Sequence, residues 1–166
     1  MLKQGIILVL LAIAAMFAVG CDDNAATDGM AVFGVSDIND TDGNGSQPIF
    51  AAAASSVPMT FRWRPYFDPN AAIVEAAPHG DYVIDHYRVV FSANTSGATL
   101  PGPREESCSI LVPVYELVTA GIVVVTPTEA TSNSAGTLLN ANIEFTAHEM
   151  GTEKEATFNI TVTVHF

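Results

Sequence analysis

The end of the chain, from Leu139 to Phe166, alternates apolar and polar residues with a period of two, and this constrains the fold more than any other feature. Leu139, Ala141, Ile143, Phe145 and Ala147 fall on one parity, with Asn140, Asn142, Glu144 and Thr146 on the other. After HEMGTEKE the pattern resumes: Phe158, Ile160, Val162, Val164 and Phe166 alternate with Asn159, Thr161, Thr163 and His165. Successive side chains of a strand point to opposite faces, so such a segment buries one apolar face only when extended. A helix would scatter the same residues round its circumference. The short polar connection with Gly151 predicts an antiparallel hairpin.

The same pattern recurs upstream in weaker form. In VPMTFRWRP, Val57, Met59, Phe61 and Trp63 share a parity; in DYVIDHYRVVFSA, Val83, Tyr87, Val89 and Phe91 share one, with Ile84 and Val90 opposite. Cys108, Ile110, Val112 and Val114 alternate, and GIVVVTP reads as a central strand or a covered edge. No segment after the first twenty residues has a helical period, and clusters such as SANTSG, LPGPRE and SNSAG punctuate the strands. The expectation is an all-β domain over residues 57–166, with six or seven strands in two antiparallel sheets, as in an immunoglobulin-like sandwich. An up-and-down barrel is the alternative, since closure also removes free edges.

The amino-terminal end is of another kind. Lys3 precedes an uncharged run, GIILVLLAIAAMFAV, about fifteen residues long where a membrane span needs roughly 20. This is the plan of an export signal over residues 1–20, the alternative being an uncleaved signal anchor. Ala18-Val19-Gly20-Cys21 resembles the lipobox of bacterial lipoproteins, in which the cysteine is acylated and becomes the first residue; Ala18 departs from the leucine commoner at its position. Two or three acyl chains anchor a protein where one is marginal, so the chain after Cys21 has no need to be apolar. Asp22 and Asp23 follow at once, similar to the signal that retains lipoproteins in the inner membrane of enteric bacteria. Inner and outer membrane both remain open.

From Cys21 onward the formal charge is 5 basic minus 18 acidic residues, or −13. That balance argues against a nucleic-acid partner and against adhesion to anionic lipid through a basic patch, since both partners are themselves negative. With Cys21 carrying lipid, Cys108 has no intramolecular partner and there is no disulfide framework; a retained Cys21 thiol would instead allow a bridge to Cys108. Residues 21–56 are Asp-, Gly- and Ala-rich and read as an acidic flexible tether, with short apolar pieces such as Met30–Val35 able to dock on the domain. Within it, Asp40, Asp42 and Asn44 precede Gly45 in the spacing that opens a calcium loop. Ala51 stands where that loop would supply a glutamate, so an acidic linker is the competing reading.

From Val57 to Phe166 the order of features resembles a group of uncharacterised bacterial lipoproteins with a small β-sandwich: MTFRWRPYFDPN, DYVIDHYRVVFS, the Pro-Gly turn of LPGP, and the closing NIEFTAHE and FNITVTVHF pair. The resemblance implies an envelope location and an immunoglobulin-like fold, and no activity.

No catalytic pattern is present. There is no G-x-S-x-G elbow and no H-E-x-x-H. His79, His86, His148 and His165 are scattered along the chain, the competing reading being a surface metal site of His148, Glu149 and a neighbour. Asp85 lies on the apolar parity of its strand, which predicts a buried carboxylate paired with an arginine; Cys108 reads as a small core residue. The expected role is a non-catalytic, cofactor-free, lipid-anchored envelope module that meets the membrane through Cys21 and an envelope protein through its domain. A small-ligand or calcium-binding module is the alternative, and an enzyme the remotest class.

Overall fold

A computed structural model of the chain describes residues 31–40, 46–51, 56–65 and 80–166. One compact unit runs from Ala31 to Phe166. Its described residues are all-β apart from one helical turn, with eight strands: β1 (Ala31–Ser36), β2 (Ile49–Phe50), β3 (Val57–Pro65), β4 (Tyr82–Ala93), β5 (Arg104–Val112), β6 (Val118–Ile122), β7 (Leu138–Glu149) and β8 (Glu155–His165). β1, β3 and β6 form a three-stranded sheet with β3 in the middle; β2, β8, β7, β4 and β5 form a five-stranded sheet curled into half a barrel.

The expected domain start at Val57 is corrected by β1. Within the segment read as tether, Ala31–Ser36 pairs antiparallel with β3 from Ala31↔Pro65 to Ser36↔Thr60. Its Phe33 ring stacks on Phe158 at 4.4 Å and meets Tyr82 edge-on at 5.2 Å. Farther along, Ile49 is buried and β2 pairs parallel with the end of β8. Composition hid both strands, because a few apolar residues set among aspartates show too short an alternation to stand out.

The two sheets face each other across one core. Phe61 of β3 meets Phe145 of β7 edge-on at 5.2 Å, and Trp63 meets Tyr82 of β4 at 4.8 Å. All four are buried, as is every apolar residue of the Leu139–Ala147 parity. At one end the sheets are stitched together: Val114, beyond β5, bridges to Trp63, and the Tyr115 N–H donates to the Trp63 carbonyl at 3.2 Å.

Two local expectations fail for identifiable reasons. GIVVVTP is not one strand: β6 ends at Ile122, although Val124 and Val125 are buried. The Val123 and Val124 carbonyls accept from the Arg104 guanidinium at 2.7–3.2 Å, and the Val123 N–H donates to the Tyr87 hydroxyl at 3.1 Å. Side chains thus replace the sheet ladder there. Next, Pro127–Ala130 forms a single helical turn, α1, closed by a capping box in which Thr126 and Glu129 bond each other's backbone N–H at 3.2 and 2.7 Å. One turn has no period to detect, but T-P-T-E carried the capping signature.

Candidate functional site

Pairing in β4 slips between Ile84 and His86. Ile84 lies opposite Ala147 and His86 opposite Thr146, so β4 spends one more residue than β7 over this stretch, which is a β-bulge. Buried positions therefore change parity, from Tyr82 and Ile84 before it to Tyr87, Val89 and Phe91 after it. Val83 falls on the other face from Tyr87, contrary to the single-parity expectation. Asp85 and His86, neighbours in sequence, both emerge on the outer face.

There they meet a third side chain. His86 Nδ1 lies 2.6 Å from Asp85 Oδ1 and His148 Nδ1 lies 3.1 Å from Asp85 Oδ2, all three side chains being about half exposed. Asp85 is thus neither buried nor paired with arginine, as its parity in a regular strand had implied. Its carboxyl sits below the ordinary range: partial desolvation pushes it up, but the His86 and His148 hydrogen bonds and charges outweigh that. Sequence inspection missed this cluster because His148 is 63 residues from Asp85 and the bulge has no sequence signature of its own.

Cys108 of β5 is adjacent. Its Sγ donates to the Ile84 carbonyl at 3.4 Å, and burial together with the Asp85 charge pushes its thiol up. A protonated, inward-facing sulfur is a poor nucleophile. Glu149 cannot join His148 as a ligand pair. It lies on the inner face, buried, with its carboxylate accepting from the Gly80 N–H at 2.7 Å and the Thr152 hydroxyl at 3.0 Å. Among the described residues no group of three or more His, Cys, Asp or Glu side chains has the geometry to hold a metal ion.

Arg104 makes the other polar knot. Besides the two carbonyls it approaches Glu129 of α1 at 3.6 Å and Glu106 at 3.5 Å. Each of these contacts ties protein to protein.

Of the residues singled out in the sequence, Cys21, Asp42 and Asn44 lie outside the described residues, as does His79. Asp40 closes the turn after β1, its N–H donating to the Asp37 carbonyl at 3.3 Å. An open groove nearby, lined by Ile38, Gln47, Pro48, Ile49, Val162 and His165 among others, is mostly apolar and contains none of the Asp85 cluster. His86 and His148 come together; His165 lies apart, tilted against Phe50 at 5.3 Å. No protein family, curated protein or solved structure matches the chain.

Proposed function

We propose that the protein is a lipid-anchored module of the bacterial cell envelope, held to a membrane by acyl chains on Cys21, and that its β-domain displays surfaces to a partner and performs no catalysis. One observation carries this reading: an apolar run too short to span a bilayer ends in AVGC and gives way at once to Asp22 and Asp23. Lipidation explains the abruptness of that boundary, because anchoring by acyl chains relieves the polypeptide after the cysteine of any need to be apolar. The Arg104 contacts agree with it, since they tie the guanidinium to the Val123 and Val124 carbonyls and to Glu106 and Glu129 of the domain itself. Two largely antiparallel sheets over a common core favour the immunoglobulin-like reading, with β2 the one parallel strand described and the five-stranded sheet more curled than in a flat sandwich.

Cys21→Ser separates the readings. Wild type should incorporate radiolabelled palmitate and show the mass of a chain beginning at Cys21, whereas the variant should accumulate as an unlabelled precursor. Label retained in the variant would place the acyl group elsewhere and end the proposal.

A further inference from the structure

Seven large apolar side chains are exposed among the described residues, and five of them lie toward one end of the domain: Val32, Leu111, Tyr115, Leu117 and Met150. Cross-strand and backbone contacts put them together. Ala31 pairs with Pro65, Trp63 packs on Tyr82 at the start of β4, and Tyr115 bonds the Trp63 carbonyl. Asp81 then holds the Val114 N–H at 3.2 Å and, through its carbonyl, the Met150 N–H at 2.7 Å. Tyr115 is 70% exposed, with a φ of 64° that non-glycine residues rarely adopt. A large aromatic held outward on a strained turn costs stability that a glycine there would not.

Charge differs between the two ends. The apolar end carries both signs, Arg62, Arg64 and Lys154 beside Asp81, Glu116, Glu153 and Glu155. At the opposite end, where β1 stops, stand Asp37 and Asp40.

We propose that this apolar end docks on the lipid bilayer, with Tyr115, Leu117 and Met150 entering the headgroup region. The proposal rests on the anchor at Cys21, and chain length selects the end. Ala31, where the compact unit begins, is 31 minus 21, or 10, residues after Cys21. Ten residues span at most about 35 Å when fully extended. β4 and β7 each have 12 residues and run the length of the domain, about 40 Å at strand rise. A tether entering at the apolar end therefore falls short of bringing the far end, with Leu100 and Phe50, onto the membrane. Aromatic residues with a polar tip favour the bilayer interface.

Bromolipid quenching tests this on the full, acylated chain in vesicles of phosphatidylethanolamine and phosphatidylglycerol, with and without brominated phosphatidylcholine. Trp63 is buried and supplies the background, subtracted with wild type. Tyr115→Trp, and Leu117→Trp as a second probe, should lose at least half their added emission to bromolipid, while Leu100→Trp at the far end should lose none. Vesicle-bound protein in which the indoles introduced by Tyr115→Trp and Leu117→Trp stay unquenched overturns the docking and leaves the anchor standing. Equal quenching of the Tyr115→Trp and Leu100→Trp variants also overturns it, since the domain would then have no preferred end. A blue shift of the Tyr115→Trp variant in native envelope membranes without bromolipid quenching assigns the surface to a protein and overturns the proposal. Protein lacking acyl mass at Cys21 removes the anchor and the proposal together.

Discussion

The β7–β8 hairpin and the β4–β5–β6 side of the domain are built from similar residues but obey different rules. The hairpin pairs without a shift from Leu138↔His165 to His148↔Glu155, and buried and exposed positions alternate along β7 to its last residues. On the other side β4 is bulged, β6 stops in the middle of an apolar run, and a guanidinium and a tyrosine hydroxyl complete the backbone bonding. Both sides bury apolar residues, Tyr82, Ile84, Val89 and Val112 among them on the irregular side; what differs is the backbone, which there depends on a few polar contacts that are costly to leave unmade.

The largest expected effect comes from cutting the regular region. Removing Val162–Phe166 deletes the buried Val162 and Val164 and the two bonds linking Phe166 to Gly136 and Thr137 at 2.7 and 2.9 Å. Each buried aliphatic side chain contributes about 1.5–3 kcal/mol, and the lost ladder adds to that, against a total stability of roughly 5–15 kcal/mol. The truncated chain should show no cooperative thermal transition by circular dichroism. A sharp transition would mean that β8 ends peripherally and that the hairpin is not the stronger half.

Next in size is the loss of β1 and β2. A chain beginning at Ala31 should unfold cooperatively near the wild-type midpoint, while one beginning at Val57 loses the Phe33 stack, the buried Ile49 and the β2 pairing with β8, and exposes an edge of β3. The difference should be about 2–4 kcal/mol by urea denaturation, on the scale of a large aromatic removed from a core. Equal stability of the two chains would return β1 to the tether.

Arg104→Ala probes the irregular side. It leaves the Val123 and Val124 carbonyls short of donors, at about 1–3 kcal/mol per orphaned buried group. Arg104→Lys should recover only part of this, since an ammonium cannot reproduce the planar fork. Arg88→Ala, whose exposed partner Glu105 is 4.0 Å away, should change stability by less than about 0.5 kcal/mol.

The smallest effect is at the bulge. Asp85→Asn should cost less than about 1 kcal/mol, because the carboxylate is 42% exposed and screened by solvent. Its sign with pH is definite. A carboxyl held lower in the folded than in the unfolded state adds stability above the unfolded pKa of about 3.9, and loses it as the pH falls through the folded value. Melting temperature should therefore drop less steeply below about pH 4 in Asp85→Asn than in wild type. Parallel acid limbs would show that the His86 and His148 contacts contribute nothing.

Much of the architecture was legible because strand alternation is a local property. All-β character, the final hairpin, and the strands containing Phe61, Tyr87 and Ile110 all follow from parity, as does the inward placement of Cys108. The candidate cluster was illegible for the opposite reason. Asp85 was assigned by extending one parity through β4, and a single extra residue inverts every later assignment. His148 reaches Asp85 only through the pairing of β4 with β7.

Composition and pattern alone determined an acidic chain with an export-like head, a cysteine at its boundary, and strands whose apolar faces had to be paired. Those features depend on residues next to or two apart from one another, where geometry is set by the covalent chain. Tertiary structure decided that Ala31–Ser36 belongs to the domain, that the Val123–Val125 stretch leaves its sheet for Arg104, and that one end gathers Tyr115, Leu117 and Met150. Each of these turns on contacts between residues far apart in sequence, whose worth depends on what the folded chain has already buried beside them.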